Sequence, residues 1–148
     1  MVPTTRKFFL ISIILILLSA ALSACSTSSS SEVHLAMMPL DQMPVAVQAA
    51  PSRVQQAYQF AAANPDIMKN IPCYCGCDAS GHASNYECYV AEVSEYGTIT
   101  YDQHAVLCSI CVDITQDVMR MVGDGESPPA IGATIDATYS KYDPPVVP

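Results

Sequence analysis

Four cysteines and one histidine lie within sixteen residues near the middle of the chain: Cys73, Cys75, Cys77, His82 and Cys88. In Cys-x-Cys-x-Cys a sulfur recurs at every second residue, so an extended or turning backbone can direct all three towards one point. Gly76 allows a bend there, because glycine adopts positive φ without steric cost. Converging thiolates suit a soft metal such as Cu(I), Zn(II) or an iron–sulfur cluster. A disulfide between cysteines two residues apart is strained, so these cysteines would need disulfide partners elsewhere.

A second group of metal-binding residues follows Asp102, which we interpret as the N-cap of a helix over residues 103–122. His104, Cys108 and Cys111 have the spacing i, i+4 and i+7, which predicts that they share one helix face. The alternative is that the cysteines are small buried apolar residues and that His104 is structural. That alternative leaves unexplained why Cys-x-x-Cys accompanies Cys-x-Cys-x-Cys in so small a domain. The pair is not a haem attachment motif, because Val112 stands where histidine is required.

The N-terminus has the pattern of an export signal over residues 1–24. Arg6 and Lys7 precede an apolar run from Phe8 to Leu18, and Leu22-Ser23-Ala24-Cys25 resembles a bacterial lipobox. The pattern predicts cleavage before Cys25 and acylation of its thiol by fatty acids such as palmitate. The mature protein would then be anchored to the cell membrane on the extracytoplasmic face. A single membrane span is the alternative, but the apolar stretch is short of the roughly twenty residues that a span needs.

Removal of this leader leaves six cysteines besides the acylated Cys25 and a net charge of −10, from four basic and fourteen acidic residues. An even number of cysteines outside the cytoplasm also fits three disulfides, which is the principal alternative to a metal site. The strong negative charge argues against nucleic acid as a partner.

Residues 25–50 read as a flexible tether rich in serine and methionine. Its soft side chains make a possible secondary metal set: His34, Met37, Met38 and Met43. The alternative is that the methionines fill apolar gaps on the domain. The domain itself is assigned to residues 51–143, and residues 144–148 form a tail.

The fold class predicted for this domain is mainly α, with a cysteine-rich loop that metal or disulfides stabilise. Apolar spacing predicts helices over residues 52–63 and 103–122, a further turn over 65–69 and a last helix from Ser127. Residues 89–93 and 98–101 predict either a short β-hairpin that turns at Gly97 or an irregular excursion.

Pro72-Cys73-Tyr74-Cys75-Gly76-Cys77 with Gly81-His82, Asn85 and Cys88 resembles the PCYCGC-motif family of bacterial lipoproteins. Asp102-x-His104 and Cys108-x-x-Cys111 extend the resemblance over most of residues 51–142. It implies an exported, membrane-anchored, cysteine-rich domain, and it does not name a metal.

The leading hypothesis is a metal-binding module, with copper as Cu(I) favoured and zinc or an iron–sulfur cluster as alternatives. The candidate ligands are Cys73, Cys75, Cys77, Cys88, Cys108, Cys111, His82 and His104, and the expected partner is a metal-donor or metal-acceptor protein. Six sulfurs exceed one tetrahedral site, which implies a polynuclear cluster or one metal and one disulfide. A thiol–disulfide protein or a disulfide-stapled binding domain without metal is the second hypothesis. An enzyme is the least favoured interpretation, because cysteines inside a helix lack the activation that a helix N-terminus gives.

Overall fold

The computed structural model describes residues 34–76 and 81–142. The leader over 1–24, the proposed acylation site Cys25, the candidate ligand Cys77 and the tail over 144–148 lie outside the described residues. Six α-helices occur in the described part: α1 (Val45–Gln48), α2 (Ser52–Ala63), α3 (Pro65–Met68), α4 (His104–Leu107), α5 (Ser109–Gly123) and α6 (Pro128–Tyr139). Short 3-10 helices span Leu40–Gln42 and Asn85–Cys88. The predicted mainly α fold class is confirmed.

The predicted hairpin is confirmed. Strand β1 (Val90–Val93) pairs antiparallel with β2 (Ile99–Tyr101), and an irregularity interrupts the register between Val90 and Glu92. Gly97 turns the chain between the strands with φ of 80°, a conformation that glycine adopts at little cost.

Helix α2 forms one side of the core. Pro51 precedes its first turn, and Asn64 ends it ahead of Pro65, which opens α3. The face that carries Val54, Tyr58 and Ala61 is buried and packs against α5. The predicted helix over 52–63 and the turn after it are therefore confirmed.

The predicted continuous helix over residues 103–122 is wrong, because the chain forms two helices that meet at Cys108. Cys108 has an extended conformation, with φ of −104° and ψ of 100°, and serves as the N-cap of α5. Its carbonyl accepts the first hydrogen bond of α5, from the Val112 N–H at 3.3 Å. Periodicity could not reveal this break, because neither glycine nor proline marks it.

Helix α5 ends in a glycine cap at Gly125. Gly125 has φ of 77°, the Gly125 N–H donates to the Val122 carbonyl, and the Glu126 N–H donates to the Met121 carbonyl. This pair of bonds is the Schellman arrangement, which satisfies the last carbonyls of a helix. Its buried face contributes Ile114, Val118 and Met121 to the core.

Residues 34–50 pack on the domain where the sequence predicted a flexible tether. The Met38 N–H donates to the Gln59 carbonyl at 2.9 Å, and the side chains of Met43 and Val47 are buried. The packed region therefore begins before Pro51, because these apolar side chains complete the core against α2. None of the helices in the described ranges has both the length and the apolar composition needed to cross a bilayer.

Candidate metal centre

One half of the candidate site is the loop that follows α3. The Asn85 N–H donates to the Ile71 carbonyl at 2.7 Å, and the Tyr74 hydroxyl donates to Asp136 of α6 at 2.7 Å. These bonds fix the backbone on both sides of Cys73, whose side chain is buried. Gly76 follows with φ of 71°, as the predicted bend requires.

The loop returns to this point through the 3-10 helix that ends at Cys88. The Cys88 sulfur is buried, 3.5 Å from the sulfur of Cys73. The Cys75 sulfur lies 3.0 Å from that of Cys73 and is part-exposed. The loop therefore brings the sulfurs of Cys73, Cys75 and Cys88 together. The predicted convergence of Cys77 with them is not tested, because Cys77 lies outside the described residues.

The other half of the site is the start of α5. The Cys111 sulfur is fully buried in the first turn, 3.3 Å from the sulfur of Cys88 and 3.4 Å from that of Cys75. The sulfur of Cys108 lies 3.2 Å from it. Cys111 therefore contacts sulfurs from both halves of the site.

Two histidines lie beside the sulfurs. The rings of His82 and His104 meet edge to face, with their centres 5.3 Å apart. The His104 Nε2 lies 3.6 Å from the Cys75 sulfur. Asp102 faces both residues. Its carboxylate accepts a hydrogen bond from the backbone N–H of His104 at 2.6 Å and lies 3.5 Å from the ring Nε2 of His82.

His82 provides a test of whether the residues fit a metal. The residue is 8 % exposed, and its Nδ1 is buried without a hydrogen-bond partner in the described chain. An imidazole that has a carboxylate at one nitrogen and an unpaired second nitrogen has the arrangement of metal-ligating histidines. The donor set and this orphaned nitrogen both fit a soft metal ion.

The described cysteines differ in oxidation state. Cys73, Cys88, Cys108 and Cys111 are free thiols. Cys75 is disulfide-bonded, so its sulfur becomes a thiolate ligand only after reduction.

The pKa values of the free thiols differ. The pKa of Cys108 is lowered to about 5, first by a hydrogen bond from the Cys111 thiol and then by the Cys111 backbone N–H and the nearby His104. Burial acts in the opposite direction. The pKa of Cys73 is also lowered, first by hydrogen bonding from Cys111 and Cys88. The pKa of Cys111 is raised, chiefly because its proton serves the neighbouring sulfurs, first Cys108. Negative charge is therefore favoured on Cys73 and Cys108.

The lowered pKa corrects one argument made from the sequence. Cys108 and Cys111 were expected inside a helix, where a thiol gains no activation. Cys108 instead stands at the N-terminus of the fifteen-residue helix α5, where the helix dipole favours a thiolate.

A buried polar network holds the backbone of Cys111. The Tyr89 hydroxyl donates to the Cys111 carbonyl at 2.8 Å, and the Thr115 hydroxyl donates to Asn85 at 2.8 Å. The Tyr89 and Thr115 oxygens are 2.7 Å apart, and neither side chain is exposed. Tyr89 and Thr115 escaped the sequence analysis, because a buried tyrosine or threonine gives no pattern apart from that of the core.

The structure brings together every predicted primary ligand that it describes. Three overlapping groups place their donor atoms within 4.8 Å of one another: Cys73, Cys75, Cys88 and Cys111; Cys75, His104, Cys108 and Cys111; and His82, Cys88 and His104. The cluster could therefore hold a metal ion.

The proposed secondary ligands have other surroundings. Met43 is buried in the apolar core, Met37 and Met38 pack partly against it, and His34 is exposed. The burial of Met43 favours the packing role for that residue.

These features define a small helical domain built around a largely buried cluster of thiols and imidazoles that could hold a metal ion. The chain belongs to the family described as proteins of unknown function with a PCYCGC motif, whose model matches residues 14–147. No curated protein and no solved structure matches the chain.

Proposed function

We propose that this chain is a lipoprotein of the extracytoplasmic membrane face that binds Cu(I) through cysteine thiolates and exchanges it with a partner protein. The anchoring part of the proposal rests on the sequence. Arg6 and Lys7, the apolar run that follows and Cys25 have the order of a lipoprotein leader. Acylation with more than one chain gives stable membrane attachment.

The observation that carries the copper proposal is the convergence of three buried free thiols, Cys73, Cys88 and Cys111. Their sulfurs are 3.5 and 3.3 Å apart along this series. Around a metal with three bonds of about 2.3 Å in one plane, the sulfurs are about 4.0 Å apart, so these thiols need to separate by about 0.5–0.7 Å. Cu(I) accepts three thiolates, whereas a structural zinc site requires four ligands.

Reduction of Cys75 would complete a group of four sulfurs, which zinc or an iron–sulfur cluster also accepts. Elemental analysis separates these metals. The full chain is extracted anaerobically from membranes in mild detergent, without chelator, beside the variants Cys111→Ser and Ser109→Ala. Ser109 is exposed one residue after Cys108, so it controls for substitution at this helix start.

Copper in stoichiometric amount in the wild type and in Ser109→Ala, and its loss in Cys111→Ser, would support the proposal. Stoichiometric zinc or iron would replace copper by that metal. A chain that contains no metal and binds no added Cu(I) after reduction would refute the metal function.

Mass spectrometry of the N-terminal peptide tests the anchor. The wild type should begin at Cys25 and carry fatty acyl chains, whereas Cys25→Ala should retain the leader and carry none. An unmodified Cys25 in the wild type would contradict the lipid anchor.

A second candidate function is thiol–disulfide exchange through Cys108 and Cys111. Cys108 stands at a helix N-terminus with a pKa of about 5, and the Cys111 sulfur is 3.2 Å away. The Cys108 thiolate would attack a partner disulfide and release one partner thiolate. The Cys111 thiol, on losing its proton, would then displace the second partner sulfur and close a Cys108–Cys111 disulfide. The partner gains two electrons and leaves as a dithiol.

Trapping distinguishes this function from copper binding. The reduced, metal-free Cys111→Ser variant should retain glutathione on Cys108 after treatment with glutathione disulfide, because no thiol at position 111 can displace it. The wild type should instead form an internal disulfide. If the two proteins give the same products, thiol–disulfide exchange through this pair is excluded.

A further inference from the structure

The sulfur of Cys111 belongs to two overlapping donor groups. It lies 3.3 Å from the Cys88 sulfur on the loop side and 3.2 Å from the Cys108 sulfur on the helix side. Among the described residues, Cys73 belongs only to the first group and Cys108 only to the second. One ion therefore does not reach all of these donors, and Cys111 is the free thiol that the two groups share.

We propose that the cluster binds two metal ions bridged by the Cys111 thiolate. The inner ion is held by Cys73, Cys88 and Cys111, and the outer ion by Cys108, His104 and Cys111. This inference rests on the proposed copper function, which it deepens by assigning a number of ions and a separate role to each.

The donor set balances without Cys75. Two Cu(I) ions bind four free thiols and one neutral imidazole, and the four thiol protons pass to solvent. No electron is transferred and no disulfide needs reduction. A thiolate has more than one lone pair, so Cys111 can bind both ions at once.

Burial separates the roles of the two ions. The inner ligands Cys73, Cys88 and Cys111 are at most 1 % exposed, whereas Cys108 and His104 are part-exposed. The inner ion is therefore enclosed and the outer ion is open to ligand exchange.

The surface beside Cys108 agrees with this division. A pocket of 160 Å³ opens there, lined by side chains from α2, α4 and α5. Leu107, at its edge, is 93 % exposed. The outer ion is thus the one that an incoming thiol ligand can reach, and it is the cargo ion of the proposed exchange.

Anaerobic titration of the metal-free full chain with Cu(I), carried out without reductant so that the disulfide of Cys75 is kept, counts the ions by native mass spectrometry. The wild type should bind two Cu(I) ions, and a Cu(I) chelator should remove the outer ion much more readily than the inner ion. Cys108→Ser should bind one ion that resists the chelator. His104→Gln is a second variant in case Cys108→Ser misfolds, and it should likewise lose the exchangeable ion. Leu107→Ala controls for substitution in the same segment and should keep both.

Bridging has its own readout in the same proteins loaded with ¹¹³Cd²⁺. Two cadmium resonances coupled through a shared sulfur are expected in the wild type, and one in Cys108→Ser. A wild type that binds one Cu(I), lost in Cys108→Ser, would overturn the two-ion centre and leave copper binding intact. Two cadmium resonances without coupling would overturn the bridge. No binding of Cu(I) by any of the proteins would instead refute the proposed function itself.

Discussion

Removing the Tyr89 hydroxyl should weaken both the fold and the metal site, because this hydroxyl joins the core to Cys111. The ring is fully buried and packs edge to face on Tyr58, with the ring centres 4.9 Å apart. Its oxygen donates to the Cys111 carbonyl at 2.8 Å. Tyr89→Phe keeps the ring and deletes this donor.

Tyr89→Phe deletes one of the hydrogen bonds that the Cys111 carbonyl accepts, while the Thr115 hydroxyl remains 3.1 Å from that carbonyl. One such hydrogen bond contributes about 0.5–1.5 kcal/mol. For a domain of roughly 100 residues, each kcal/mol lowers Tm by about 4–8 °C. Tyr89→Phe should therefore lower the Tm of the reduced, metal-free protein by about 2–12 °C, measured by circular dichroism at 222 nm. Because the lost bond also fixes a ligand backbone, Cu(I) affinity should fall by about 10–100-fold in chelator competition.

Tyr139→Phe is the matched control. Its hydroxyl donates to Asp117 at 2.8 Å, between α6 and α5, and has no hydrogen bond to any cysteine that the structure describes. This variant should lose some stability and keep the wild-type Cu(I) affinity. Equal Cu(I) affinity in Tyr89→Phe and Tyr139→Phe would refute the claim that the network positions Cys111, and an unchanged Tm in Tyr89→Phe would refute the cost assigned to the lost hydrogen bond.

Three further predictions follow from single residues. Asp102→Asn removes the carboxylate that faces both histidines, so Cu(I) affinity should fall by about 10–100-fold while the far-UV circular dichroism spectrum stays unchanged. Unchanged affinity would show that this carboxylate does not orient the histidine ligands. In the metal-free protein the alkylation rate of Cys108 should follow the amount of its thiolate, so the rate should fall by half only near pH 5. An ordinary thiol loses reactivity below about pH 8.5. Peptide mass spectrometry gives the rate, and a midpoint above pH 8 would contradict the lowered pKa. Gly125→Ala should lower the free energy of unfolding by about 1–2 kcal/mol, because φ is 77° there; the cost is conformational, since no atom crowds the added Cβ. Gly123→Ala in helix α5 should instead raise the free energy of unfolding by about 0.5–1 kcal/mol. Urea unfolding measures both, and changes of the same sign would refute the conformational argument.

The sequence predicted most of the helical framework, because local signals determine it. Helix α2 lies between Pro51 and Asn64, and α6 begins after Ser127 with Pro128 as its first residue. Ile131, Ile135 and Tyr139 form its buried stripe, whereas Thr138, which the same spacing assigns to that stripe, is exposed. Apolar spacing finds a helix face well and finds its edge poorly, because neighbouring elements decide how wide the buried face is.

The meeting of the two halves of the site could be predicted only in part. Soft-ligand chemistry selected Cys73, Cys88, Cys108 and Cys111 without any knowledge of the fold. The contact between Cys88 and Cys111 joins residues 23 positions apart and depends on how the loop packs on α5. The break at Cys108 also escaped prediction, since its cause is tertiary and the local sequence favours a continuous helix.

That break determines the geometry of the site. In one continuous helix, Cys108 and Cys111 would stand on the same stripe, and both would face the core. The extended backbone at Cys108 instead ends α4 and starts α5, which leaves Cys111 buried in the first turn and turns Cys108 towards the surface. The Tyr89 hydroxyl holds the backbone carbonyl of Cys111 from within the core. A buried inner sulfur beside a more exposed outer one suits the proposed metal exchange, because one ligand can retain the ion while the other passes it on.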